Sequence, residues 1–254
     1  MYLLKLAKMP LIILKTIMII FIILAKHSLS FWTLGNYPLI IINNQAKVIN
    51  MNNVHISKMT GKLDGFQAIS TNTMTNSFCI KQNASGKADN ICTKCYSHTM
   101  LKSYRKNMQP SLQRNSDLLS EKVLEHNQLP TILNAFFRFN AHGELINETH
   151  LINLVNIAFH NPHCNFALWT KRNDIIAKYF KYNDKPKNLI LVYSNSKISN
   201  IMQKLPKYFD KTFNNVLEHE HIEKQNCTGQ QCKNCLLCYQ HNGITTIVEK
   251  VKKY

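Results

Sequence analysis

The sequence is poor in several features that would each indicate a particular class of protein. It contains only seven glycines and seven prolines in 254 residues, which excludes collagen-like and linker-dominated architectures. Its longest uncharged apolar run has ten residues, whereas about 20 are needed to span a bilayer. It also contains no glycine-rich phosphate loop, no H-E-x-x-H and no G-x-S-x-G motif. Ordinary nucleotide hydrolysis, zinc proteolysis and serine esterase chemistry therefore have no support.

Acidic residues are scarce as well. Fourteen Asp and Glu oppose 31 Lys and Arg, which gives a formal net charge of +17. This excess favours a polyanionic partner such as nucleic acid, because binding would release counterions. The basic residues are scattered, however, and scattered lysines are equally typical of a solvated surface. Hydrophobic residues make up 45% of the chain, enough for a globular core.

The first fifty residues differ from the rest, because they contain five lysines and no acidic residue. Within them, the apolar run Thr16–Ala25 is followed by a small-x-small site that ends at Ser30. This pattern is typical of a signal peptide, although a membrane anchor or an upstream extension is an open alternative. We divide the chain into this segment, 1–50, and a domain, 51–254. We expect a cytoplasmic protein if the segment is not a signal, and otherwise membrane association through residues 10–25.

The domain alternates between short apolar runs and helical patterns. Strands are predicted over residues 135–139, 165–170 and 188–193, with helices over 148–160 and 173–180 between them. Further helices are predicted over 118–126 and 201–213. Strands that alternate with helices through short loops indicate a parallel sheet. The sequence therefore predicts an α/β fold built as a partial or closed β/α barrel-like sheet, with functional loops at the carboxyl ends of its strands.

Eight cysteines are an excess for this length, and four of them lie within the Cys-rich segment, residues 219–240. This C-terminal cysteine group consists of Cys227, Cys232, Cys235 and Cys238. Two successive two-residue gaps are typical of cubane iron–sulfur clusters. Structural zinc sites usually take two pairs of ligands separated by a longer stretch. An iron–sulfur cluster is the favoured interpretation, and zinc or disulfides are the alternatives.

Three further cysteines lie closer to the start of the domain. This N-terminal cysteine group consists of Cys79, Cys92 and Cys95. Three thiolates on a four-iron cluster would leave one iron free to bind a substrate or cofactor. A zinc site completed by His98 or His55 is the alternative. Cys164 stands alone beside a predicted strand and is expected to be a buried small hydrophobe.

Charged residues at the ends of two predicted strands are candidates for ligand binding. Arg138 lies on the first of them, where it would pair with Glu144, bind an anionic ligand or reach solvent. Lys171 and Arg172 follow the second strand, where a barrel places its ligand loops. These residues indicate contact with a phosphate or a carboxylate.

Several short motifs occur in a characteristic order along the domain: Ile56–Met59, Cys92–Ser97, Tyr104–Arg105, Phe137–Leu145, Phe166–Arg172 and Cys232–Tyr239. In this order they resemble the phage-associated gene product 88 family over roughly residues 55–250. Two features depart from the family. The N-terminal cysteine group is spread by a longer insert, Ile80 to Ile91, and His142 stands where the family places a serine before Gly143.

The same order is also similar, more distantly, to radical S-adenosylmethionine enzymes. In that family three cluster cysteines follow the first barrel strand, and a Gly-Glu element after the next strand holds the methionine end of the cofactor. The resemblance implies a cluster on the N-terminal cysteine group, and a cofactor site at Gly143 and Glu144, to which we add Arg138. The spacing here is C-x12-C-x2-C, in place of the family's C-x3-C-x2-C.

Two functions therefore follow as expectations. The first is an iron–sulfur protein with one or two clusters that acts as a redox or radical enzyme, with S-adenosylmethionine as its expected cofactor. The second is a zinc-stabilised protein of a mobile element that binds nucleic acid through its positive surface.

Overall fold

The computed structural model describes residues 53–251 and three short strands before them. These strands, β1 (Trp32–Leu34), β2 (Tyr37–Ile42) and β3 (Gln45–Val48), form an antiparallel sheet in that order. The chain divides into two compact units, Met1–Asn52 and Asn53–Tyr254. The apolar run and the expected membrane contact at residues 10–25 lie outside the described residues. Among the residues that are described, no helix has the length and apolarity needed to cross a bilayer.

The second unit is built on a seven-stranded sheet. Its strands are β4 (Ser57–Lys58), β5 (Gln67–Ile69), β6 (Phe136–Phe139), β7 (Asn165–Thr170), β8 (Leu189–Ile198), β9 (Lys211–Val216) and β10 (Thr246–Lys250). Strands β5 to β10 are parallel and each pairs with the next in the sequence, while β4 pairs antiparallel with β5. The predicted α/β fold with a parallel sheet is confirmed. The strands lie in sequence order across the sheet, with β4 and β10 at its two edges.

Six α-helices accompany this sheet in the described residues: α1 (Ser77–Asn83), α2 (Tyr96–Lys102), α3 (Gln109–Glu121), α4 (Glu148–His160), α5 (Asn173–Phe180) and α6 (Cys232–Cys235). The predicted helices at 148–160 and 173–180 are confirmed. Helix α4 begins where Asn147 caps it, since the Asn147 side chain accepts a hydrogen bond of 2.9 Å from the His150 backbone.

The two other predicted helices are wrong in whole or in part. Helix α3 covers only the first residues of the predicted 118–126 and begins earlier, at Gln109. No helix forms over 201–213, where turns lead into strand β9. The apolar residues of that stretch do not share one face of a helix. Phe209 packs in the main core, whereas Phe213 packs on the opposite side of the sheet.

Alternate side chains of the parallel strands enter different cores. On one face, Phe137 and Phe139 of β6 pack with residues of α3, α4 and α5 in the largest core. On the other face, the inward-facing side chains of β8 to β10 pack with Leu237 and Cys238 of the Cys-rich segment. Tyr239 packs there too, against Phe66 and Ala167. The Cys-rich segment thus covers the face that the helices leave open, as a parallel sheet with two covered faces requires.

Candidate functional site

Both cysteine groups line one large cavity on the second face of the sheet. The cavity has a volume of about 490 Å³, and its walls include all three thiols of the N-terminal group together with Cys227, Cys232 and Cys238. Residues that follow β6 and β7 complete the wall, among them Glu144 and Lys171. The sequence predicted each group separately from its spacing. The structure adds that the two groups face the same space.

Side-chain amides fix the N-terminal cysteine group to its surroundings. Asn76 caps helix α1 by accepting hydrogen bonds from the backbone of Phe78 (3.0 Å) and Cys79 (3.3 Å). The same amide donates to the Glu144 carbonyl over 3.0 Å. Asn76 thereby holds the first cysteine beside the loop that follows β6.

The second and third cysteines share a single 3₁₀ turn, Ile91–Lys94, and the residue after it. Asn90 caps this turn with a 3.0 Å hydrogen bond from the Cys92 backbone, and Asn83 donates to the Cys92 carbonyl over 2.9 Å. Burial raises the pKa of the Cys79 and Cys92 thiols, and the neighbouring Cys95 thiol adds to that rise. The three thiols therefore lie close enough to influence one another.

Glu144 joins the ends of two neighbouring strands. Its buried carboxylate accepts hydrogen bonds from the backbone of Leu145 (2.8 Å) and Lys171 (2.8 Å) and from the Thr170 hydroxyl. Burial raises the pKa of Glu144, although the Lys171 charge and these hydrogen bonds act against the rise. Because these bonds occupy the carboxylate, Glu144 fixes the cavity wall where the loops after β6 and β7 meet.

Lys171 supplies a cation beside the N-terminal cysteine group. Its ammonium donates a 2.7 Å hydrogen bond to Ser194 on β8. Burial alone would lower the pKa of Lys171, but the Cys92 thiol and the Glu144 carboxylate raise it. The predicted ligand loop thus carries a fixed positive charge, and Arg172 next to it pairs with Asp174.

Gly143 allows a close approach of two loops. Its φ is +90°, and a Cβ placed there would lie 2.1 Å from Thr71 Oγ1 and 2.6 Å from the Thr71 carbonyl oxygen. No residue with a side chain fits without displacing the segment after β5. The close packing against Thr71 therefore requires glycine at position 143, whether or not a ligand is bound there.

The C-terminal cysteine group surrounds a smaller cavity of about 20 Å³. Helix α6 carries Cys232 and Cys235, and burial raises the pKa of the Cys238 thiol to about 12. The Lys62 ammonium donates to Cys227 Sγ over 3.3 Å and pairs with Glu249. Burial alone would lower the pKa of Lys62, but these two partners raise it, so the lysine is a cation beside the group.

The thiols of each group are neighbours, but they are not arranged around a single ion. Among residues 53–251 and the described strands before them, no three His, Cys, Asp or Glu side chains lie close enough together to hold one metal ion. All eight cysteines are free thiols. Cys164 is fully buried in the main core, as predicted.

Arg138 does not form the ion pair that was one of its predicted alternatives. It does not pair with Glu144, whose carboxylate bonds elsewhere. The Arg138 guanidinium instead lies over the Trp169 ring, 3.8 Å from its centre, and acts on the thiols of Cys232 and Cys238. Arg138 lines the large cavity, and its Nε has no hydrogen-bond partner among the described residues.

Of the histidines considered as zinc ligands, only His98 lines the large cavity in the described structure. Its Nδ1 is buried without a partner. His55 does not line that cavity, and its backbone bonds instead to Asn115. Lys62 and Tyr239 were missed as cavity residues. Tyr239 directly follows a cysteine, which is a weak signal, and Lys62 has none.

Comparison with known proteins gives one match. A family model described as gene product 88 matches residues 46–224, well over half of the chain. The resemblance of the motifs to the gene product 88 family is thereby confirmed. No curated protein and no solved structure matches the chain.

Proposed function

The chain belongs to the gene product 88 family, and we propose that it is an iron–sulfur protein that performs redox or radical chemistry in its large cavity. The observation that carries this proposal is the gathering of seven thiols into two groups, since six of the seven line one cavity. Thiolates are the ligands that iron–sulfur clusters require. In a four-iron cluster each thiolate binds a different iron, so the sulfur atoms need not meet around one ion.

The charges beside the thiols support the same proposal. A cluster held by thiolates carries net negative charge, and nearby charges and hydrogen bonds to sulfur tune its potential. Lys171 lies beside the N-terminal group, while Lys62 and Arg138 lie beside the C-terminal group. When bound, the cluster supplies or accepts single electrons. The lysines and Arg138 offset its charge, and Asn76 and Asn90 fix the backbone that carries its ligands.

Metal analysis of protein purified without oxygen tests this proposal. We expect iron and sulfide in the wild-type protein, loss of part of the iron in a C79A/C92A/C95A variant, and loss of another part in C232A/C235A. The matched control is C164A, which removes a cysteine outside both groups and should keep the wild-type iron content. Protein that contains zinc and no iron, or iron that is insensitive to both sets of substitutions, would contradict the proposal.

We further propose S-adenosylmethionine as the cofactor, bound beside the N-terminal group. Three thiolates leave one iron of a four-iron cluster without a protein ligand, and the adjoining cavity of about 490 Å³ is of the size that small-molecule sites have. Gly143 and Glu144 form part of the wall there. Glu144 acts in this proposal by holding the wall in place, since its carboxylate bonds to Leu145, Thr170 and Lys171.

The electron paramagnetic resonance spectrum of the reduced protein tests the cofactor. Adding S-adenosylmethionine should change the signal in wild-type protein and in C232A/C235A, which keeps the N-terminal group. The C79A/C92A/C95A variant should not respond. An unchanged wild-type spectrum at millimolar cofactor would contradict this part of the proposal and leave the cluster itself standing.

The alternative function is a zinc-stabilised protein that binds nucleic acid, supported by the net charge of +17. Such binding depends steeply on salt, because each neutralised phosphate releases counterions. Fluorescence anisotropy with a labelled DNA duplex and a labelled RNA, each at rising salt, tests it. Tight binding that weakens steeply with salt, by a colourless zinc-loaded protein, would favour this alternative over the first proposal.

A further inference from the structure

Three unpartnered hydrogen-bond donors line the large cavity near the C-terminal cysteine group. Among the described residues, Arg138 Nε, Trp169 Nε1 and the Tyr239 hydroxyl are buried without a partner, and all three side chains line the cavity. They come from β6, β7 and the Cys-rich segment. Buried donors are rarely left unpaired, because the lost hydrogen bond to water is costly. Three such donors on the wall of one cavity therefore indicate a ligand that accepts hydrogen bonds.

Tyr239 is the most telling of the three. Its side chain is only 1% exposed and packs against Phe66 and Phe136. The Arg138 guanidinium lies beside its hydroxyl. Arginine can only donate hydrogen bonds, so the proton of the phenol still lacks an acceptor. Because this hydroxyl is shielded from water and lies beside a cation, it is suited to donate a hydrogen bond to an anionic acceptor.

Small side chains on the two neighbouring strands leave room for the Arg138 side chain. In the strand register, Ala68 of β5 and Ala167 of β7 stand on either side of Arg138. Both alanines are fully buried. These small side chains leave space along the sheet for the guanidinium, whose Cζ lies 3.8 Å from the centre of the Trp169 ring. This cation–π contact holds the guanidinium in place, and its N–H donors can form two parallel hydrogen bonds to a carboxylate or a phosphate.

We infer that Arg138, Trp169 and Tyr239 form a binding site for the anionic group, a carboxylate or a phosphate, of the molecule that enters the cavity. If the proposed function holds, that molecule is the substrate. Only its identification as the substrate rests on the proposed function. Arg138, placed with Gly143 and Glu144 by the sequence, also lies beside Cys232 and Cys238.

Thermal unfolding of the full chain tests the site, with inorganic phosphate and acetate as probes. Each anion is titrated against chloride at constant ionic strength, because a ligand that binds the native state raises the melting temperature. We expect wild-type protein to respond to at least one probe. In R138Q the apparent affinity should fall about tenfold or more, as expected for charge-assisted bonds. In Y239F it should fall about two- to tenfold.

The matched control is R114Q, which removes an exposed arginine of helix α3 outside the cavity. It should respond as wild-type protein does. A stronger response to phosphate identifies a phosphoryl group, and a stronger response to acetate identifies a carboxylate. If R138Q does not fold, Y239F against R114Q still decides. Equal responses in all variants, or no response of the wild-type protein beyond chloride, would overturn the inference.

Iron content is measured on the same samples, which separates this inference from the proposed function. Wild-type protein that binds the anion but holds no iron would contradict the proposed function alone. If R138Q loses iron but keeps the anion response, Arg138 serves only to offset the charge of the C-terminal group, and the anion site is overturned.

Discussion

Replacing Gly143 by alanine gives a direct test of how the cavity wall is built. The substitution has two costs. A side chain at φ +90° costs about 1–2 kcal/mol relative to glycine. The new Cβ would also lie 2.1 Å from Thr71 Oγ1 and 2.6 Å from the Thr71 carbonyl, so backbone must move, and such overpacking costs about 1–3 kcal/mol. Together these lower the free energy of unfolding by about 2–5 kcal/mol.

Gly243 provides the matched control. Its φ is +76°, and an added Cβ would meet no atom within 4 Å, so G243A should carry only the backbone cost. Urea unfolding followed by circular dichroism measures both variants. We expect G143A to lose about 1–3 kcal/mol more than G243A, and to bind less metal than G243A at equal protein concentration. Equal losses in the two variants would refute the argument that Thr71 and Gly143 must touch.

Three further predictions follow from buried polar groups. E144Q puts an amide donor against groups that already donate, so urea unfolding should show a loss of about 1.5–3 kcal/mol; a loss below about 0.5 kcal/mol would contradict the role of Glu144 in joining β6 to β7. Burial lowers the pKa of His150 to about 3, so its unfolded form takes up a proton first as pH falls below about 6.5, and stability drops by about 1.4 kcal/mol per pH unit until about pH 3. H150L should flatten this part of the pH profile, and an unchanged slope would count against it. Burial also raises the pKa of Cys79 and Cys92, so metal loading of chelator-stripped protein should release protons and tighten as pH rises; loading that is independent of pH would argue against thiolate ligands.

The sequence predicts the fold where one face of an element is apolar and its ends carry turn or cap residues. Helix α4 has both an apolar stripe and a capping asparagine, and its predicted bounds match the structure. The stretch 201–213 has apolar residues at helical spacing, but Phe209 and Phe213 enter different cores. A periodic pattern does not reveal which layer each residue joins, so the helix predicted there was wrong.

The candidate site is predictable only in its local parts. The spacing of the cysteines groups them correctly, because neighbours in a tight turn stay neighbours in the fold. Lys62 and Cys227, by contrast, are 165 positions apart, and no local pattern indicates that they meet. The same holds for Arg138 and Tyr239, whose proximity depends on the Cys-rich segment covering the second face.

The most direct measurement for the central claim is the electron paramagnetic resonance spectrum of the full chain, purified without oxygen and then reduced. We expect a signal of reduced iron–sulfur clusters that persists in C164A and changes in both C79A/C92A/C95A and C232A/C235A. A silent spectrum from protein that carries zinc at its cysteines would contradict it.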